Sequence, residues 1–180
     1  MKHLNEYLQG SRIQYDKGIL SENHLLENPL DQFEAWMKEA IAAGVSEPNA
    51  VDLSTVNDGR PSSRIVLLKG VDKRGFVFYT NYDSRKGKEM AESPFVSLNF
   101  FWTLQARQVR IEGRIEKVSP EESDAYFASR PRDSQIGAWA SAQSTVIKSR
   151  EIIESNIAQL EKQYEGKDIP RPAHWGGYIV

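Results

Sequence analysis

The spacing of apolar side chains divides the chain into a leading helix, a middle of strands and a helical second half. Phe33, Trp36, Met37, Ala40 and Ile41 recur at i, i+3, i+4, i+7 and i+8, which lays one apolar stripe along a helix. Asn28-Pro29 supplies a cap residue followed by proline at the first helical position, where its missing N–H costs nothing, and Gly44 supplies the stop. These aromatics therefore read as core rather than as ligands. From Ala50 the period falls to two. Val51 and Leu53 alternate with polar residues, Asn57-Asp58-Gly59 marks a turn, and Arg64-Ile65-Val66-Leu67-Leu68-Lys69 is a short apolar run with a cation at each end. Asp72-Lys73-Arg74-Gly75 is a second turn. Residues 76–81, 95–102 and 108–118 read as further strands, the last a single long one in which Val109, Ile111 and Ile115 alternate with charges.

Five short strands joined by tight turns predict an antiparallel barrel. Helices return at Ser119-Pro120-Glu121-Glu122, a capping box with proline inside it, which opens a helix through Ala125, Tyr126 and Phe127. Ile153, Ile157, Leu160 and Tyr164 form a later stripe closed by Gly166, and Trp175-Gly176-Gly177-Tyr178 begins a last strand. The fold class is thus α+β, mainly antiparallel β with flanking helices. One domain over residues 28–180 is expected, preceded by an N-terminal extension over residues 1–27.

Composition narrows the function. The 180 residues suit one domain, and 39% hydrophobic with 27% charged residues is ordinary for a globular chain. No stretch approaches the ~20 apolar residues of a membrane span, and residues 1–6 lack the apolar run of a signal peptide, so the cytoplasm is the expected location. A net charge of -2 argues against a nucleic-acid partner. The absence of cysteine removes thiolate metal sites and cysteine nucleophiles. His3, His24 and His174 have no metal-ligand spacing, and no catalytic triad, Walker loop or dinucleotide turn is present.

What remains is local basic chemistry. Ser84-Arg85-Lys86 precedes a short helix ending before Pro94. Cations there oppose the helix dipole by ~0.3 to 1 kcal/mol each, a sign that a phosphate held by Thr80, Ser84, Arg85 and Lys86 would reverse. A solvated basic turn reads equally well. Arg64 and Lys69 are five apart, so on a regular strand they face opposite ways and serve two ligands, or one of them is simply solvated. Tyr126, Arg130 and Ser134 stand at i, i+4 and i+8, which suits a phosphate monoester if helical geometry persists past Pro131; the alternative is a capped helix junction with Arg132 paired to Asp133. With no obvious acid or base, an organic cofactor is the better source of any chemistry.

Taken together, Arg64-Ile65-Val66-Leu67-Leu68-Lys69, Phe78-Tyr79-Thr80-Asn81, Ser84-Arg85-Lys86, Arg107-Gln108-Val109 and the run Ser129-Arg130-Pro131-Arg132-Asp133-Ser134-Gln135-Ile136-Gly137-Ala138-Trp139 closely resemble the pyridoxamine 5'-phosphate oxidase family. The resemblance runs in order from about Arg12 to Val180. It implies an FMN-binding split β-barrel, a homodimer with flavin mononucleotide at the subunit interface, and oxidation of pyridoxamine or pyridoxine 5'-phosphate to pyridoxal 5'-phosphate. Oxygen reoxidises the flavin and yields hydrogen peroxide. On the matching positions it implies that Arg64, Tyr79, Thr80, Arg85, Lys86, Gln108, Gln143 and Ser144 bind the flavin, and that Lys69, Tyr126, Arg130 and Ser134 hold the substrate phosphate. Arg12 and Tyr15 would belong to an N-terminal segment that covers bound substrate. The family continues beyond the Trp175 strand into a segment with a tryptophan and an Arg-Leu-His-Asp-Arg-like motif, which does not occur in these 180 residues. A non-catalytic flavin- or pyridoxal-phosphate-binding protein, or a flavin reductase of the same fold, is therefore the alternative.

Overall fold

The computed structural model describes residues 2–12, 14 and 20–180. It falls into two compact units, Met1–Pro48 with Phe101–Gln108, and Asn49–Phe100 with Val109–Val180. In the first unit, helix α2 spans Pro29–Ala42 as its spacing predicts, with the Asn28 side chain accepting from the Leu30 N–H at 2.9 Å. Phe33 on its apolar stripe packs on Trp102 at 5.9 Å between ring centroids, and the Trp102 indole N–H donates to Pro48 O. The extension read over residues 1–27 contains a helix, α1, over Lys2–Gly10. Its Leu4, Tyr7 and Leu8 are exposed, so the stripe is too short and too poorly covered to register as a core-facing period.

A curled sheet makes up most of the second unit, with residues 101–102 of one strand and 107–108 of the next counted in the first. Its strands are β1 (Ala50–Asn57), β2 (Arg60–Asp72), β3 (Gly75–Asn81), β4 (Phe95–Trp102), β5 (Arg107–Arg114), β6 (Glu116–Lys117) and β7 (Trp175–Ile179), hydrogen-bonded in the order β5-β4-β1-β2-β3-β7-β6. The antiparallel hairpins β1–β2 and β2–β3 follow the two turns read in the sequence. The strand expected over 108–118 is instead two, because Ile115 leaves the ladder, buries its side chain and donates its N–H to Pro94 O. β5 and β6 then lie at opposite ends of the strand order although one residue separates them. A flat sheet cannot satisfy that; the sheet has to bend round toward closure.

The inner face carries Val51, Leu53, Val66, Leu68, Phe76, Phe78, Leu98 and Phe100, all buried. The run 65–68 is not buried throughout: Ile65 and Leu67 face out while Val66 and Leu68 face in. The β2–β3 register shifts between Leu68 and Gly70, so Lys69 is the extra residue of a bulge.

Helices α3 (Arg85–Glu92), α4 (Pro120–Ser129), α5 (Arg132–Ala140) and α6 (Glu151–Gln163) complete this unit. α4 is capped by Ser119, whose hydroxyl accepts from the Glu122 N–H, as the capping box predicts. α3 is pinned by Gly87. A Cβ added there would stand 2.0 Å from the Tyr82 carbonyl oxygen. Gly87→Ala should therefore displace α3 and cost roughly 1–3 kcal/mol, the usual penalty of overpacking, read as a lowered thermal midpoint; an unchanged midpoint would mean that the Tyr82 backbone yields freely.

Candidate functional site

β2, β3, β7 and the α4–α5 junction enclose an open cleft of about 690 Å3. One wall is aromatic. Tyr79 and Trp175 occupy the same face of neighbouring strands β3 and β7, where Tyr79 pairs with Gly177 and Asn81 with Trp175. Tyr126 comes over them from α4. The three rings lie nearly parallel, at 16° and 3.9 Å for Tyr79–Tyr126 and at 12° and 5.6 Å for Tyr79–Trp175. Burial raises the pKa of both Tyr79 and Tyr126, so both phenols stay neutral hydrogen-bonding groups at pH 7.

Arg130 caps the C-terminus of α4 with extended backbone (φ -74°, ψ 150°), because Pro131 cannot continue the helix. Helical geometry therefore does not persist from Tyr126 to Ser134, yet the break still delivers all three to the cleft wall. The alternative pairing of Arg132 with Asp133 does not form; Arg132 donates to the Tyr164 and Lys167 carbonyls. The Arg130 guanidinium lies 4.6 Å over the Trp175 ring and 5.6 Å from Phe127. Its Nη1 is buried without a hydrogen-bond partner, and burial lowers its pKa. Among the described residues no carboxylate pairs with it. A buried, unmatched guanidinium donor is costly, and an anion in the cleft would relieve it.

Lys86 is the second such cation. It projects from the first turn of α3 into the cleft, is 8% exposed, and donates to Gln143 Oε1 at 2.8 Å and Ser84 Oγ at 3.3 Å. Both partners are neutral. Burial, and then the nearby positive Arg64, push its pKa from 10.5 down to about 8. Thr80, buried on β3, and Lys69, at the bulge on the same side as Ile65 and Leu67, line the same cleft.

Arg64 faces the other way. Its Nη1 donates to Leu53 O and Thr55 Oγ1, and its Nη2 to Ser62 Oγ and to Glu89 Oε2 at 2.8 Å. Arg85 donates from Nε to Glu89 Oε1 at 2.8 Å, on the side of α3 that borders a second hollow shared with Ser144. Glu89 is 2% exposed. Burial pushes its pKa up, but hydrogen bonds from Thr55, Ser62, Arg85 and Arg64 outweigh this and hold it at about 2.

The structure thus brings Lys69, Tyr79, Thr80, Lys86, Tyr126, Arg130, Ser134 and Gln143 to one cleft. Arg64, Arg85 and Ser144 stand outside its lining, the first two joined through Glu89. Gln108 lies exposed on β5 in the first unit, as does Arg12 after α1, and Tyr15 falls outside the described residues. Two participants were not read as site residues. Trp175 was taken only as the start of a strand. Glu89 carries one signal, an acid four residues after Arg85 in the same short helix.

A sequence model of the family described as pyridoxamine 5'-phosphate oxidase matches residues 37–164. The chain is 54% identical over 170 residues to a pyridoxine/pyridoxamine 5'-phosphate oxidase of Synechocystis sp., covering 94% of the chain and 79% of that protein. It is 57% identical over 170 residues to that of Burkholderia multivorans, with the same two coverages. Among solved structures it resembles PhzG from Burkholderia lata in complex with tetrahydrophenazine-1-carboxylic acid, at TM-score 0.84 and 30% identity over 90% of this chain and 81% of that one. A pyridoxamine 5'-phosphate oxidase-related, FMN binding protein from Nostoc punctiforme matches in fold, at TM-score 0.66 and 15% identity over 87% of this chain and 82% of that one.

The Lys86 pKa carries a stability consequence. Between about pH 8 and 10.5 the unfolded chain holds the Lys86 proton and the folded one does not, so its contribution to stability rises with pH across that window. Below pH 8 the charge is held at a cost. Lys86→Met should therefore be more stable than the parent at pH 7, with the gap closing toward pH 10 in denaturant titrations; a gap that does not change with pH would contradict the burial of a charged ammonium.

Proposed function

The chain belongs to the pyridoxine/pyridoxamine 5'-phosphate oxidase family, and we propose that its cleft is where pyridoxine or pyridoxamine 5'-phosphate is oxidised to pyridoxal 5'-phosphate with flavin mononucleotide as cofactor. The oxidation itself follows from membership at this level of identity. The observation that carries the site reading is the buried, partnerless Arg130 Nη1. A phosphate monoester supplies the charge and the acceptor oxygens that this atom lacks.

Two phosphates are accommodated, each by its own cations. Lys69, Tyr126, Arg130 and Ser134 form the substrate set, on the α4–α5 side of the cleft. Lys86 with Tyr79, Thr80 and Gln143 forms the cofactor set, backed by Arg64 and Arg85, with Ser144 and Gln108 as further contacts. The residues fit the cofactor: Lys86 is a buried cation with neutral partners only, and Glu89 is the carboxylate bonded to Arg64 and Arg85, so the three cations exceed it by two charges, matching a phosphate dianion. Arg12 and Tyr15 are proposed to cover bound substrate.

Flavin mononucleotide, held by the Lys86 set, would supply the acceptor for a hydride from the substrate carbon bearing the amine or alcohol, with oxygen as final acceptor giving hydrogen peroxide and, for the amine, water taken up and ammonia released. The chain's own part is positioning. Lys69, Tyr126, Arg130 and Ser134 fix the phosphate end of the substrate while the Lys86 set fixes the cofactor, which makes the transfer effectively unimolecular. No side chain is required to act as acid or base. The cleft is open where Ile65 and Leu67 are exposed, and a second copy of the chain is the occupant we propose for that side. A flavin reductase acting on an unphosphorylated partner would not need the Arg130 set.

Arg130→Ala should raise the KM for pyridoxine 5'-phosphate roughly 10- to 150-fold, the loss of a charged hydrogen bond, while flavin affinity stays unchanged. Aldehyde and peroxide formation under air, with flavin titration alongside, measures both; equal losses would contradict separate phosphate sites.

A further inference from the structure

We infer that Glu89 is a positioning residue for the cofactor phosphate, clamping Arg64 and Arg85 from opposite sides through its two carboxylate oxygens. The inference rests on the cofactor reading above and deepens it. Oε2 takes Arg64 Nη2 and Ser62 Oγ, both at 2.8 Å, together with the Thr55 hydroxyl; Oε1 takes Arg85 Nε at 2.8 Å. One buried side chain thereby ties β1, β2 and α3 together at the point where the basic residues converge.

Joining the three elements does not by itself call for a carboxylate, because the whole polar cluster could be replaced by apolar side chains. A buried ion pair is commonly no more stabilising than well-packed hydrophobic side chains of the same size. What the charge does here is directional. Arg85 is 69% exposed and would sample several rotamers without a fixed anion, whereas Arg64 is also held by Leu53 O, Thr55 and Ser62 and has in Glu89 its charged partner. Arg64 is also close enough to Lys86 to repel it, and pairing with Glu89 holds the two cations in one neighbourhood. Glu89 thus prepays the ordering of the cationic cluster before any phosphate arrives.

A purely electrostatic view predicts the opposite, since removing an acid from a phosphate site raises its positive potential. The two readings separate in one experiment. The full chain, stripped of flavin, is titrated with flavin mononucleotide and with riboflavin, which lacks the phosphate, for the parent, Glu89→Gln and Glu89→Asp. Thermal midpoints are recorded in parallel. Glu89→Gln should lose roughly tenfold in affinity for flavin mononucleotide, about the weight of one charged hydrogen bond, with riboflavin affinity unchanged. Glu89→Asp, which keeps the charge but is one methylene shorter, should fall between; if Glu89→Gln does not fold, this variant decides by the same comparison. Unchanged or tighter binding of flavin mononucleotide, or equal losses for both flavins, would overturn the inference. A parent chain that does not favour flavin mononucleotide over riboflavin would instead overturn the cofactor reading, and the role of Glu89 with it.

Discussion

Lys86 and the Nη1 atom of Arg130 are withdrawn from water, and among the described residues no carboxylate pairs with either cation. Removing a cation from water costs several kcal/mol unless something replaces its hydration. The replacements differ. Arg130 rests on the faces of Trp175 and Phe127, which offer a diffuse negative surface and no hydrogen-bond acceptor. Lys86 keeps an amide and a hydroxyl oxygen, which accept its protons without neutralising it. Each arrangement tolerates a cation while leaving its charge unspent, which is what a phosphate site needs before its ligand arrives.

The local elements around these cations were legible because they follow from short-range rules. The Asn28 cap, the Ser119 capping box, the two hairpin turns and the helix ending at Pro94 all formed where residue types demanded them. The opposite facing of Arg64 and Lys69 was legible for the same reason, since alternation along a strand is a local property. What sequence could not give was closure. Nothing in residues 108–118 marks Ile115 as the position where the chain passes from one edge of the sheet to the other, because that choice is made by Pro94 and by β7, both remote in sequence.

The site was legible in part and for a different reason. Its cations came from segments that are unusual singly and specific together, and eight of the proposed contacts meet in one cleft. Trp175 and Glu89 were missed because their roles exist only in three dimensions. A tryptophan opening a strand is ordinarily core, and Trp175 is indeed buried; that an arginine would lie over its ring depends on the break at Pro131. A glutamate four residues after an arginine is ordinarily a surface ion pair worth little. Only the arrival of β1 and β2 over α3 buries Glu89 and gives it three donors beyond Arg85 of its own helix.

The place of β7 between β3 and β6 has a consequence for how the protein is made. Its partners on β3 lie roughly a hundred residues earlier in the chain, a long separation that is slow to close. Until β7 inserts, β3 and β6 are unpaired edges, and the ring beneath Arg130 is missing. The strand with this long-range pairing also furnishes the cleft with the Trp175 ring. Without that strand Arg130 would keep Phe127 of α4 but lose the nearer Trp175 ring. Closure of the sheet edge by β7 and assembly of the cleft wall under Arg130 thus depend on the same strand pairing.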